Sequence, residues 1–151
     1  MEQTCLLIYQ TGETQYGLRL ESVEQVVRAV YITPIAGVPS NVCGVVKVRG
    51  ELLPVIDLRC GSGANFSPVG LDDQLIIVQT QTRRVILLVE AVLGLYQGNP
   101  RSELDSSALL GDSRELVGAV TTQEGFILIQ NIDEFFSLIE ESQLERALVS
   151  A

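Results

Sequence analysis

Short apolar runs recur along the whole chain and are separated by turn residues. Runs such as LIIV at 75–78 and VILLV at 85–89 are apolar at every position, so periodicity alone does not distinguish a strand from a buried helix. Their short length and the turn residues on either side favour strands. The predicted strands are 5–10, 15–20, 26–32, 45–48, 52–56, 75–80, 84–89, 94–96, 116–120 and 126–130.

Strands of this length and spacing are typical of small β-barrels or a β-sandwich. The hydrophobic period changes near the C-terminus, where apolar residues follow at mostly helical spacing. Asn131 can cap this segment and Glu134 lies three residues later, close to a capping box. The sequence therefore predicts a helix over roughly 132–148 that seals the barrels. Its outer end, 140–151, is an alternative surface for a partner.

The chain contains an internal repeat. LLIYQTGETQYGLRLESVEQV, from Leu6, aligns without a gap with LIIVQTQTRRVILLVEAVLGL, from Leu75. A second match, at a slightly different offset along the chain, aligns Gly44 with Gly118, and each glycine opens a predicted hairpin. We expect a single domain, 1–151, in which subdomain-like repeats over roughly 5–60 and 74–136 form two similar barrels.

The charge excludes some partner classes. The 151 residues include 10 Lys and Arg against 19 Asp and Glu, which gives a net charge of −9 and repels nucleic acid and anionic lipid. The apolar runs are far too short for a membrane-spanning helix, so no membrane insertion is expected. The N-terminus, MEQTCLLIYQ, lacks the basic start of a signal peptide, so a cytoplasmic location is expected.

The chain has no histidine and three widely spaced cysteines. Histidine is the commonest general base and metal ligand, so its absence argues against an enzyme and against a metal site. The alternative is a small-ligand domain or a carboxylate-dependent enzyme, with Asp57 and Glu90 or the adjacent Asp72 and Asp73 as acid and base. Turn or capping bonds explain these carboxylates more simply.

The stretch GVVKVRGELLPVIDL, residues 44–58, predicts a hairpin whose tip carries Arg49 next to Gly50. Two interpretations of Arg49 are open: a solvated turn residue, or a guanidinium that binds a partner or joins the two barrels. The matching tip of the repeat, Gln123-Glu124-Gly125, is expected to keep the turn glycine but carries no arginine, so the turn itself does not require an arginine.

These motifs resemble the CheW family of bacterial chemotaxis coupling proteins. The resemblance extends over nearly the whole chain and is most specific at G-V-x-x-x-R-G-x-x-x-P-V-I-D-L, residues 44–58. The earlier Y-G-L at 16–18 and V-x-x-V at 23–26, the later L-V-E-x-V at 88–92 and the terminal N-I-D at 131–133 agree with it.

The resemblance implies a mainly β fold of two SH3-like five-stranded barrel subdomains with a C-terminal helix. It implies a non-catalytic adaptor, without cofactor, that couples the tip of methyl-accepting chemotaxis receptors to the regulatory domain of a CheA-type histidine kinase. Carried over by position, Arg49, Val23, Val92 and Gln25 are the expected receptor-binding residues. Val26 and Val27 are the expected kinase-binding residues.

Three residues depart from the pattern of the family. Lys47 stands where asparagine is usual, Gln25 where glutamate is common, and Ile86 where glycine is common. The changes leave the expected fold intact but bear on which partners are bound. The alternative within adaptors is therefore a CheW-like partner in a pilus-motility or other chemosensory-like kinase pathway.

Overall fold

The computed structural model describes residues 4–28, 30–38, 42–59, 70, 72–98, 103–104, 116–122, 125–130, 132 and 138–150. Within these residues the chain forms eleven strands and one α-helix. The strands are β1 (Thr4–Thr11), β2 (Thr14–Arg19), β3 (Val23–Arg28), β4 (Val42–Val48), β5 (Glu51–Asp57), β6 (Gln74–Gln79), β7 (Arg84–Val89), β8 (Ala91–Gly98), β9 (Glu103–Leu104), β10 (Leu116–Thr122) and β11 (Gly125–Gln130). The helix is α1 (Leu138–Ser150), and a 3-10 turn covers Leu20–Ser22.

The predicted mainly β class with a C-terminal helix is confirmed. The largest boundary difference concerns β3, for which the sequence predicts 26–32, whereas the strand begins at Val23 and ends at Arg28. Val23 already pairs with Val78 of β6, so cross-strand pairing extends the strand beyond its most apolar run. The two-residue strand β9 has no counterpart in the prediction, because it lies in a polar stretch.

Two sheets contain the described strands. The six-stranded sheet has the order β8-β1-β2-β11-β10-β9, and the five-stranded sheet has the order β3-β6-β7-β5-β4. Most neighbours are antiparallel, but β11 runs parallel to β2 and β5 runs parallel to β7.

The two sequence copies do not coincide with the two sheets. β1 and β2 of the first copy belong to the six-stranded sheet, whereas β3, β4 and β5 of the same copy belong to the five-stranded sheet. The second copy does the reverse, with β6 and β7 in the five-stranded sheet and β8 to β11 in the other. The chain changes sheet at Leu20–Ser22 and again at Glu90. The expected assignment of one barrel to each copy therefore differs from the observed strand pairing.

The pairing register repeats between the copies. Ile8 pairs with Gly17 in the first copy, and the aligned residues Ile77 and Ile86 pair with each other in the second. The irregularity between Val42 and Gly44 of β4 likewise recurs between Leu116 and Gly118 of β10. The internal repeat is therefore structural, and positions in the two copies can be compared directly.

The uniformly apolar strands are explained by burial on both faces. Val85, Leu87 and Val89 of β7 belong to a central cluster that includes residues of both sheets. Ile86 and Leu88 belong to a second cluster, on the other face of the same sheet. Alternation is lost because both faces of β7 are apolar environments.

The C-terminal helix packs through a narrow apolar stripe. Leu144 and Ala147 are buried, and the Arg83 guanidinium contacts the Glu145 carboxylate beside them. The prediction of 132–148 agrees with the described helix from 138 onward, whereas residues 131 and 133–137 lie outside the described residues. In the described part of the chain, no helix has the length and hydropathy needed to cross a bilayer.

A buried ion network joins the two copies. Arg59 follows β5 and makes a bidentate contact with Asp57, with Nη2 to Oδ2 at 2.9 Å and Nε to Oδ1 at 3.0 Å. Its Nη1 lies 3.0 Å from Oδ2 of Asp73, just before β6. These contacts, led by the hydrogen bond to Asp57, raise the pKa of Arg59. The network holds the end of the first copy against the start of the second.

Candidate functional site

Arg49 and Gly50 form the two-residue tip of the β4–β5 hairpin. Val48 pairs with Glu51, and both tip residues have positive φ, 50° for Arg49 and 83° for Gly50. Two positive φ values are characteristic of the type I′ turn, which matches the twist of the flanking strands. Asn, Asp and Gly are favoured at its first position, so Arg49 is unusual there.

Arg49 is the only non-glycine residue with positive φ in the described part of the chain. Its side chain is exposed and, among the described residues, has neither an ion pair nor a hydrogen bond. A residue held in a sparsely populated conformation without an internal ion pair or hydrogen bond is a candidate for an external role.

The β10–β11 hairpin of the second copy can be compared only in part with the hairpin that carries Arg49. Gly125 pairs with Thr122 as Glu51 pairs with Val48, so this glycine matches Glu51 and not Gly50. The expectation that both tips keep the same turn glycine is therefore wrong. The residues that match the tip, Gln123 and Glu124, lie outside the described residues.

The expected binding residues of β3 differ in exposure. Gln25 is exposed, whereas Val23 is half-buried against the central cluster. Val26 also packs on the central cluster, but Val27 packs on the cluster of the opposite sheet face. β3 is an edge strand of its sheet. Val26 and Val27 therefore lie at this edge, on opposite faces of the sheet.

Val92 and Val23 are equivalent residues in the two copies, and both pack against the central cluster. They lie near opposite ends of β6, because Val23 pairs with Val78 whereas the backbone N–H of Val92 donates to the side chain of Gln74 at 2.8 Å. The central cluster thus connects two of the expected receptor-binding residues without placing them side by side.

Arg49 and the start of β3 lie at the same end of the five-stranded sheet. Arg84 connects them, because its guanidinium contacts Glu24 of β3 and Glu51 of the hairpin. The structure therefore brings Arg49, Val23 and Gln25 to one end of this sheet, while Val92 lies at the other end.

Sequence analysis missed two exposed leucines beside Val92. Leu93 and Leu95 of β8 are 50% and 62% exposed, whereas Val92 is partly buried. Leu93 matches Glu24 of the first copy, and this replacement of an acid by leucine is the signal that could have identified it. Single exposed leucines are common, but two on one edge strand form an apolar strip next to Val92.

Three of the four carboxylates considered as catalytic groups, all except Asp72, have structural partners among the described residues. Asp57 binds Arg59, and Glu90 accepts a hydrogen bond from the backbone N–H of Gly12 at 3.0 Å. Asp73 binds Arg59 and accepts a hydrogen bond from the backbone N–H of Gly70 at 2.7 Å. Turn and ion-pair contacts therefore account for these three carboxylates.

The hairpin that carries Arg49 lies in the part of the chain that matches a known protein family. The family model described as the CheW-like domain matches residues 6–140. The chain belongs to the CheW-like family. The resemblance inferred from the sequence is thereby confirmed, and the Arg49 hairpin lies well inside the matched region.

Related proteins and a solved structure are similar to this CheW-like chain over most of its length. The chemotaxis protein CheW of Rhizobium meliloti (strain 1021) is 25% identical over 133 residues, covering 87% of this chain and 86% of that protein. Protein FrzA of Myxococcus xanthus is 29% identical over 145 residues, covering 93% and 87%. The crystal structure of the scaffolding protein TtCheW from Thermoanaerobacter tengcongensis superposes with a TM-score of 0.79 at 26% identity, covering 92% of this chain and 96% of that one.

Proposed function

We propose that the chain is a non-catalytic adaptor that couples methyl-accepting chemotaxis receptors to the regulatory domain of a CheA-type histidine kinase in the cytoplasm. The match to the CheW-like domain over residues 6–140 carries this proposal. The likeness to a scaffolding protein at TM-score 0.79 supports it.

The receptor tip binds at the end of the five-stranded sheet that contains Arg49, Val23 and Gln25. The guanidinium of Arg49, exposed and without an ion pair among the described residues, supports this assignment, because it can form a bidentate contact with a carboxylate of the partner. The half-buried Val23 supplies an apolar edge for a helix. Val92 contributes through the central cluster or through a separate contact near Leu93.

The kinase regulatory domain binds at the edge strand β3, through Val26 and Val27. Both valines are only partly buried, and an edge strand has unpaired backbone groups that a partner can approach. Adaptor function is then thermodynamic, because each partner shifts the affinity for the other by a coupling free energy of about 1–3 kcal/mol.

The alternative is a CheW-like adaptor of a pilus-motility or other chemosensory-like kinase pathway. The similarity to Protein FrzA, at 29% identity, favours keeping it. Identification of the kinase that co-purifies with the chain from its native cytosol distinguishes the two pathways.

The receptor site is tested by Arg49→Asp. Binding is measured by calorimetry to a receptor cytoplasmic fragment and, separately, to the kinase regulatory domain from the same organism. We expect receptor binding to weaken at least tenfold, about 1.4 kcal/mol, because a charge that pairs with the partner is reversed. Kinase binding is expected to remain within about twofold of wild type.

Lys47→Asp is the matched control. Lys47 is exposed on the same hairpin and undergoes the same change of charge, but it lies outside the turn. We expect a smaller loss of receptor binding for this control. Full receptor binding by a folded Arg49→Asp protein would contradict the assignment of Arg49, and failure of the wild type to bind either partner would contradict the proposed function.

A further inference from the structure

Arg84 connects two acidic side chains at the end of the five-stranded sheet. Its Nε lies 3.1 Å from Oε1 of Glu24, and its Nη1 lies 3.6 Å from Oε2 of Glu51. Glu24 is on β3, Arg84 begins β7 and Glu51 begins β5. One guanidinium therefore links the edge strand to the hairpin that carries Arg49.

Arg49 and Arg84 are two cations near the same carboxylate. Glu51 lies two residues after Arg49, within the length of an arginine side chain, yet its ion pair is with Arg84. Glu51 remains 56% exposed and Arg84 is 31% exposed, so these contacts are solvated and weak individually. The two contacts nevertheless change the local charge in a specific way. The positive charge of Arg84 offsets the negative charge of Glu51, which lies next to the tip, and that of Glu24 at the same end of the sheet.

The equivalent positions in the six-stranded sheet show that the fold does not require this arrangement. The positions that match Glu24, Arg84 and Glu51 are Leu93, Gln15 and Gly125. Sheet pairing at those positions is nevertheless equivalent in the two copies. The ion cluster and the arginine tip occur together in the five-stranded sheet, whereas the equivalent positions of the repeat, which belong to the six-stranded sheet, have neither in the sequence.

We propose that Arg84 is a positioning residue that keeps the Arg49 guanidinium available to the partner. By pairing with Glu51, Arg84 withholds from Arg49 the neighbouring carboxylate that would otherwise pair with it inside the chain. The proposal rests on the proposed function, because it assigns Arg49 to an acidic group of the receptor tip.

The test compares Arg84→Gln with the double variant Arg84→Gln/Glu51→Gln. The probe is the same receptor cytoplasmic fragment, and binding is measured at low and at high salt. We expect Arg84→Gln to weaken binding by about two- to fivefold at low salt, with a smaller loss at high salt. The double variant is expected to recover receptor binding, because Glu51 no longer competes with the partner for Arg49. Arg84→Lys is expected to retain most of the receptor binding.

Arg28→Gln is the matched control, because Arg28 is exposed at the far end of β3 and loses the same charge. A second readout does not depend on the receptor. Solvent exchange of the Arg49 Nε–H, followed by NMR, is expected to slow in Arg84→Gln as Arg49 pairs with Glu51, and to return to the wild-type rate in the double variant.

The outcomes separate this inference from the proposed function. If the wild type does not bind the receptor fragment, the proposed function fails, while the NMR comparison still tests Arg84. If the wild type binds and Arg84→Gln binds equally well with unchanged Arg49 exchange, the inference is wrong. Equal weakening of the single and double variants would also overturn it, since Arg84 would then act only on local structure.

Discussion

At the scale of single residues, Arg49 illustrates how backbone conformation identifies a functional candidate. A left-handed backbone costs a non-glycine residue roughly 1–2 kcal/mol, and Asn or Gly would occupy the turn at lower cost. Arg49 has no ion pair or hydrogen bond among the described residues that would offset this cost. The sequence indicated Arg49 by its charge and position, and the structure adds the conformational reason to assign it an external role.

Cys43 contrasts with Arg49, because its surroundings suppress its chemistry. Burial, with the nearby charge of Asp57 adding to it, raises the pKa of the Cys43 thiol to about 11. The thiol also donates a weak hydrogen bond to the Val55 carbonyl at 3.5 Å. At pH 8 only about one thiol in a thousand is then ionised, and the thiolate is the reactive form. We predict that iodoacetamide labels Cys43 in the folded protein far more slowly than in urea, as measured by mass spectrometry of the labelled peptides.

The same pKa predicts a dependence of stability on pH. Because the folded pKa of Cys43 is raised above the ordinary value of 9.0, the folded state holds the proton more tightly. This contribution is fully present below about pH 9 and is lost as the pH rises toward about 11. Cys43→Ala is the control, since it should remove this part of the alkaline loss. Labelling of Cys43 at equal rates in native and denatured protein would contradict the raised pKa.

At the scale of elements, β4 depends on close approach by the preceding segment. Thr33 and Val45 exchange backbone hydrogen bonds of 3.0 and 2.8 Å. A Cβ placed on Gly44 would lie only 2.4 Å from the Thr33 carbonyl oxygen and 2.8 Å from Cγ2 of Ile32. The glycine that opens the recognisable hairpin motif is therefore required by packing.

We predict that Gly44→Ala destabilises the protein by about 1–3 kcal/mol, because the 30–38 segment must move away from β4. Urea unfolding measures the change. Gly70→Ala is the matched control, since its new Cβ would meet Asp73 at an ordinary distance of 3.5 Å. Equal stability of the two variants would show that the segment yields without cost.

At the scale of the whole molecule, exchange of strands between the copies decides how the chain folds. The order β3-β6-β7-β5-β4 places two strands of the second copy between strands of the first. If the first copy were isolated, β3 would lose its only neighbour among the described strands, and β5 would lose one of two. The two sheets therefore form from one cooperative chain, although the sequence is built from two copies.

We predict that fragments 1–69 and 70–151 are each unfolded when expressed alone, because each lacks the central strands of a sheet. Circular dichroism and amide exchange measure this. Co-expression of the two fragments is the control, and it should restore the protected strands of both sheets. Cooperative unfolding by either isolated fragment would contradict the interleaved pairing.

The sequence determined the strands, the repeat and the family, because these depend on local patterns. Turn residues bound the apolar runs, and the two alignments within the repeat recur as equivalent pairing registers. The motif at 44–58 was specific enough to identify the CheW-like family and to indicate Arg49. Each of these features is encoded in short stretches of neighbouring residues.

Only the tertiary structure decided which copy each strand pairs with and what surrounds each candidate residue. The apolar strands of the two copies have similar chemistry, so local sequence does not specify whether β3 pairs within its own copy or with β6. Burial of both faces of β7, the separation of Val23 from Val92 and the contact of Arg84 with Glu51 follow from contacts between distant segments. Such contacts have no local signature, because they form only when the two sheets pack around a shared core.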